Sequence, residues 1–156
     1  MRGVPVVIEP LTSPADIDGI LAVEAASFTN PWTREMYLGE LENRGVAYFL
    51  VARDTTRRIV AFCAYWRVVD ELHINNLAVL PEWRRQGIAA AMLTRVLADG
   101  RTLGAASVLL EVRRSNQVAL ELYCRFGFVI VASRRDYYSH PAEDALVLQR
   151  SLKAGA

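Results

Sequence analysis

Arg84-Arg85-Gln86-Gly87-Ile88-Ala89 follows an apolar run, Leu77-Ala78-Val79-Leu80, and opens a stretch of helical periodicity over residues 88–97. A strand that turns sharply into a helix leaves backbone N–H groups at the helix start without intrahelical partners, all pointing one way. Those donors and the positive end of the helix dipole form a site suited to phosphate. Gly87 and Ala89 keep the surface bare enough for a pyrophosphate to reach the main chain, and Arg84 and Arg85 add charge beside it. The location argues for a nucleotide-like cofactor. A helix start that merely contains glycine and arginine is the plainer alternative.

Two familiar phosphate-binding patterns do not fit. A P-loop ends in Gly-Lys-Ser/Thr, and the only lysine of the chain is Lys153. The dinucleotide fingerprint needs three glycines at fixed spacing, and only Gly87 is available here.

The chain has 156 residues, near the usual size of one domain, and its 53% hydrophobic content supports a real core. A single domain over residues 1–156 is expected. The net charge of +1 argues against nucleic acid as a partner, because duplex binders carry a clustered basic face. Here the arginines form only short pairs, at 57–58, 84–85, 113–114 and 134–135. The N-terminal residues hold no signal-peptide core, and no apolar run is long enough to span a bilayer, so a cytoplasmic protein without a membrane partner is expected. Cys63 falls in a strand-like run and Cys124 in a helical one. Without metal-ligand spacing they read as buried free thiols rather than a disulfide or a metal site, with a nucleophilic cysteine as the alternative. On oligomeric state the sequence is silent.

The order of elements follows from periodicity and punctuation. Residues 4–11 read as a strand. Ser13 caps a helix that has Pro14 first and Asp16 in its first turn, with Ile17, Ile20, Leu21 and Phe28 on its apolar face. Thr33 caps a second helix carrying Met36, Tyr37 and Leu41. Strands over 47–53 and 59–67 form a hairpin across 54–58. A strand over 71–80, a helix over 84–103 and a strand over 107–113 come next. A helix over 116–126 ends at Gly127, and strands over 128–133 and 145–152 complete the chain, the last pairing antiparallel. Val118, Leu122 and Phe126 are expected to bury one side of the 116–126 helix. The fold class is α/β: a mixed, largely antiparallel sheet of six to seven strands, with helices on both faces.

The stretch at 84–89 resembles the (Arg/Gln)-x-x-Gly-x-(Gly/Ala) signature of the Gcn5-related N-acetyltransferases, with alanine where glycine is frequent. The element order is similar to that fold along essentially the whole chain. Several stretches resemble the RimI-type branch, which acetylates the N-terminal alanine of a small-subunit ribosomal protein. They are Phe28-Thr29-Asn30-Pro31-Trp32-Thr33, Asn75-Asn76-Leu77-Ala78-Val79, Leu110-Glu111-Val112-Arg113 with Ser115-Asn116, Leu122-Tyr123 with Gly127-Phe128, and Arg134-Arg135-Asp136-Tyr137-Tyr138.

The resemblance implies acetyl-CoA as cosubstrate, no metal, and a protein N-terminus as acceptor. It implies that the central parallel strands, 71–80 and 107–113, splay apart around the pantetheine arm. Leu77, Ala78 and Val79 would offer main-chain groups to that arm and to the acetyl carbonyl. Arg84, Arg85, Gln86, Gly87, Ile88, Ala89 and Ala90 would hold the pyrophosphate. By alternation alone Leu77 and Val79 are core residues, which is compatible with a role for their backbone.

Glu111 interrupts the run Val108-Leu109-Leu110-Glu111-Val112, and a carboxylate in a buried strand is costly unless paired or working. It is either an ion-pair partner of an arginine such as Arg113 or, as the resemblance implies, the general base, directly or through a water. As a base its pKa is expected to rise with burial. Tyr123 lies seven residues after Asn116, about two helical turns, so the two share a side. Tyr123 is core filler or, by resemblance, the acid that protonates the thiolate, while Asn116 would hydrogen-bond the cofactor. Trp32, Tyr137 and Tyr138 are candidate walls for the first residues of the acceptor, or packing aromatics. His73 and His140 match no catalytic position, and a strand histidine here reads as structural.

An α-amine has a pKa near 7.7–8.0 and a lysine amine one near 10.4, a difference of roughly 3.5 kcal/mol in the cost of deprotonation at neutral pH. One weakly basic glutamate therefore suits a protein N-terminus better than an internal lysine. A small amine, an antibiotic or a lysine is the alternative acceptor, and a noncatalytic acetyl-CoA-binding module is the alternative of a different class.

Overall fold

A computed structural model describes residues 5–11, 13–27, 32–43, 45–139 and 141–153. Phe28, Thr29, Asn30, Pro31 and His140, and the first residue of the strand expected over 4–11, lie outside the described residues. The order is β1 (Val7–Pro10), α1 (Ile17–Ser27), α2 (Arg34–Glu42), β2 (Ala47–Arg53), β3 (Ile59–Val68), β4 (Glu71–Val79), α3 (Ile88–Thr102), β5 (Ser107–Arg113), α4 (Gln117–Arg125), β6 (Val129–Tyr138) and β7 (Glu143–Ser151). The seven strands form one sheet in the order β1-β2-β3-β4-β5-β7-β6. Among the described residues, the β4–β5 pair is parallel and the other pairs are antiparallel. The expected sheet is therefore present.

β3 is buried without interruption from Ile59 to Tyr65, so both of its faces are covered. α1 packs on β3 and β4, and α3 packs across β2 to β5. α3 approaches closely because Gly100 has no side chain: an added Cβ would sit 2.8 Å from Leu152 Cδ1 and 3.1 Å from Leu72 Cδ1. The core gathers Ile17, Ile20, Tyr37, Phe62, Leu72, Met92, Leu93, Leu110 and Leu148, each almost wholly removed from solvent.

The helix caps form where the sequence places them. Ser13 Oγ accepts Ala15 N and Thr33 Oγ1 accepts Met36 N. Pro14–Asp16 is a separate 3-10 turn, and α1 begins at Ile17. α3 begins at Ile88 rather than at residue 84. Pro81–Trp83 forms its own 3-10 turn, and Arg85 and Gly87 adopt left-handed φ angles of 63° and 80°, which no α-helix accommodates. β6 runs on to Tyr138 and β7 starts at Glu143, because the pairing resumes at Tyr138↔Glu143 beyond a bulge at which Asp136 has φ 50°. Val118 is 82% exposed rather than buried. At 100° per residue it lies about 140° around α4 from Tyr123, on the far side from the core. Cys63 is buried as expected, and burial pushes its thiol up to about 12; Cys124 is exposed instead.

Candidate active site

β4 and β5 are held together only from Glu71↔Ser107 to Ile74↔Leu110. Beyond that rung they part. The departure coincides with a bulge on the other side of β4, where Ala64 pairs with Asn76 but Tyr65 pairs with Ile74, leaving Asn75 as the extra residue. Leu80 N donates to Val60 O at 2.9 Å. By antiparallel alternation Leu80, Ala78 and Asn76 then direct their main-chain groups toward β3. Leu77 and Val79 direct theirs the opposite way, into the gap that β5 vacates.

This gap opens into a cleft of about 530 Å³. Leu77, Glu111, Asn116, Tyr123, Trp32, Tyr137 and Tyr138 all line it, so candidates from five elements and connections meet in one place. Asn116 and Tyr123 share the cleft side of α4, as two helical turns require. Asn116 is also the helix cap, its Oδ1 accepting Ala119 N at 3.1 Å. Tyr123 is 8% exposed, and burial holds its hydroxyl protonated far above the ordinary phenol range. Its ring meets Phe128 edge-on at 5.5 Å.

Glu111 departs from expectation in two ways. Its partner is not Arg113 but His73, whose Nε2 lies 2.8 Å from Glu111 Oε1. That hydrogen bond lowers the carboxyl's pKa below the usual carboxylate value, outweighing the desolvation that would raise it. His73 therefore has a specific contact with the candidate base. Arg113 instead lies 4.4 Å above the Tyr138 ring and donates to the carbonyls of Ser139 and Pro141. Tyr137 and Tyr138 are on the end of β6 rather than in a loop, their rings perpendicular at 5.0 Å. Burial and the neighbouring Tyr137 and Glu111 push the Tyr138 hydroxyl up to about 12.

The opposite wall contains a residue that the sequence reading passed over. Glu24 is 1% exposed on α1 and lines the cleft. It accepts hydrogen bonds from Tyr37 Oη, from Asn76 Nδ2 at 3.0 Å and from Trp32 N at 3.1 Å. Burial raises its pKa. The signal was present: Ile17, Ile20 and Glu24 fall at i, i+3 and i+7, which places the carboxylate on the core face. Trp32 rests against Tyr37 at 5.2 Å, and Tyr37 meets Phe49 and Phe62 edge-on behind it.

At the start of α3 the cap residue Gly87 supplies no side-chain bond among the described residues, and the first intrahelical bond runs from Ala91 N to Gly87 O. The amides of Ile88, Ala89 and Ala90 precede that bond. Gly87 and Arg85 are exposed, and a Cβ on Gly87 would meet nothing within 4 Å. Two left-handed residues thus bend the chain around an open, donor-rich surface, the geometry that a diphosphate needs. Arg84 is tied back into the fold. Its Nε donates to Val79 O at 2.9 Å and its Nη2 to Ser27 Oγ at 3.4 Å, bracing the loop against β4.

Comparison with known proteins places these features in context. The Acetyltransferase (GNAT) family model matches residues 17–128. A Bacillus subtilis protein provisionally named a ribosomal protein bS18-alanine N-acetyltransferase is 35% identical over 133 residues, 85% of this chain and 87% of its own length. The Salmonella typhimurium ribosomal protein bS18-alanine N-acetyltransferase is 30% identical over 140 residues, 88% of this chain and 93% of its own. The crystal structure of the Escherichia coli ribosomal-protein-alanine N-acetyltransferase superposes with a TM-score of 0.88 at 26% identity, covering 97% of each chain.

Proposed function

The chain belongs to the GNAT acetyltransferase family, and from that premise we propose that it transfers acetyl from acetyl-CoA to the α-amine of an alanine-starting protein, ribosomal protein bS18. The observation that carries this reading is the parting of β4 and β5 beyond Ile74↔Leu110, with Glu111 and Tyr123 both lining the cleft that results. The names of the relatives support the acceptor. Such an acceptor is met in the cytoplasm, where we place the chain.

Acetyl-CoA supplies the activated acetyl thioester, and the residues present fit it. The amides of Ile88, Ala89 and Ala90, with Arg85, Gln86 and Gly87, would hold the diphosphate, and Arg84 would keep the loop in shape. The main-chain groups of Leu77 and the N–H of Val79, whose carbonyl accepts Arg84 Nε, would bind the pantetheine arm and polarise the acetyl carbonyl. Ala78, between them, keeps its main chain on β3. Asn116, whose Oδ1 caps α4, would offer its amide N–H to the cofactor.

Glu111 accepts the proton of the attacking amine, and its lowered pKa keeps it ionised throughout the working range. Tyr123, kept protonated by burial, donates its hydroxyl proton to the departing thiolate. Trp32 from one wall and Tyr137 and Tyr138 from the other enclose the first residues of the acceptor. An internal lysine would demand more of a base whose pKa is held down, and so is disfavoured.

The test is mass spectrometry of acetyl transfer to alanine-starting peptides, N-terminally blocked lysine peptides and small amines. Acetyl on the peptide α-amine, lost in Glu111→Gln and Tyr123→Phe, is the expected result. Acetyl on lysine or a small amine alone would overturn the acceptor.

A further inference from the structure

Glu111 is the first residue of β5 past its last rung with β4, at Ile74↔Leu110. There β4 no longer flanks the carboxylate, so its orientation depends on a partner that reaches it from elsewhere. His73 supplies the restraint. It sits on the paired part of β4, opposite Leu109, and opposite Trp66 on β3, with the two rings 6.2 Å apart. Trp66 is itself fixed by Nε1 donating to Glu40 Oε2 at 2.7 Å. From this braced position His73 Nε2 lies 2.8 Å from Glu111 Oε1.

Glu111 lines the cleft and His73 does not, so the imidazole reaches the carboxylate from behind. Resting on the reading of Glu111 as base, we propose that His73 is a positioning residue: it holds Oε1 so that Oε2 faces the acceptor amine. When the proton moves, an N–H bond of the amine breaks and an O–H bond forms on Oε2, while Oε1 stays hydrogen-bonded to the ring.

Arg134 and Tyr138 from β6 also face Glu111, with Arg113 over the Tyr138 ring. Among the described residues, the hydrogen bond that fixes the carboxylate comes from His73.

The experiment is the steady-state kinetics of acetyl transfer to an alanine-starting peptide by the wild type, His73→Ala, His73→Gln and Glu111→Gln, with thermal unfolding to check folding. Glutamine carries an N–H at the reach of Nε2. His73→Ala is expected to lose about tenfold or more in kcat, with KM for both substrates unchanged. His73→Gln is expected to restore kcat to within about twofold of wild type. Wild-type kcat in His73→Ala, or an equal fall in both His73 variants, would overturn the proposal. Glu111→Gln separates the two levels. Undiminished transfer there removes the base assignment itself, whereas its loss beside an active His73→Ala removes only the role of His73.

Discussion

Asn76 on β4 donates its side-chain amide to Glu24 on α1 at 3.0 Å, joining the two elements on the wall of the cleft opposite Glu111. The same carboxylate receives Tyr37 Oη from α2 and the backbone N–H of Trp32. One buried acid therefore ties both N-terminal helices to the strand at the centre of the site. Its removal would strand three donors.

Glu24→Ala should destabilise the protein by about 3 kcal/mol, because buried donors lose their acceptor and a cavity opens among them. Thermal unfolding measures this. Because Trp32 loses its anchor, KM for the peptide should rise more than KM for acetyl-CoA.

Glu24 also makes a signed prediction about pH. Its folded-state pKa is raised above the ordinary 4.5, so its contribution to stability is full below that value and is lost as pH rises through the folded pKa. Glu111 has the opposite sign: its lowered pKa contributes above 4.5 and is lost only as pH falls through the folded value. Unfolding temperature should therefore decline on the alkaline side of 4.5 in the wild type. In Glu24→Gln that decline should be absent; a persisting decline would assign it to another group.

Gly87→Ala should cost roughly 1–2 kcal/mol of stability, since φ is 80° there and an L side chain resists that region. A Cβ would meet open space, so the penalty is conformational rather than steric. Relaxation of the loop toward ordinary φ would turn the amides at the start of α3 away from the diphosphate. Calorimetry should find weaker acetyl-CoA binding with peptide affinity in the binary complex unchanged.

Tyr123→Phe should reduce kcat by about a hundredfold while leaving acetyl-CoA binding intact, because the ring's contact with Phe128 does not need the hydroxyl. Rapid-quench kinetics and equilibrium binding together distinguish a lost proton donor from a lost packing residue. Weakened binding with kcat preserved would count against the acid role.

Arg113→Lys should raise KM for the peptide severalfold. The guanidinium stacks on Tyr138 while donating to the Ser139 and Pro141 carbonyls, a fork that an ammonium cannot reproduce. Peptide titration at saturating acetyl-CoA provides the check.

The strands, helices, caps and the turn before α3 are written in local patterns: β-rich composition in 47–53, helical spacing in 88–102, Ser13 and Thr33 before their helices, and Gly87 and Gly127 at helix ends where φ is positive. Such signals act over a few residues, and that is why they are legible along the chain. Glu111 was legible for a related reason, as a carboxylate that interrupts an apolar strand. Spacing put Asn116 and Tyr123 on one side of a helix, and the family resemblance singled them out.

The partnerships were not legible, because they join residues far apart in the chain. Nothing local pairs His73 with Glu111; the parallel register of β4 and β5 does so, and it reverses the direction of the carboxyl's pKa shift. Burial alone predicted a raised value, but a hydrogen bond from a neighbouring strand outweighs it. Glu24 had a periodic signal, yet only the packing of α1, α2 and β4 gathers Tyr37, Asn76 and Trp32 around it. Local sequence thus determined the elements and the turn that suits a phosphate. Tertiary structure decided which charges meet, since a hydrogen bond forms only where two strands or helices bring its ends within about 3 Å.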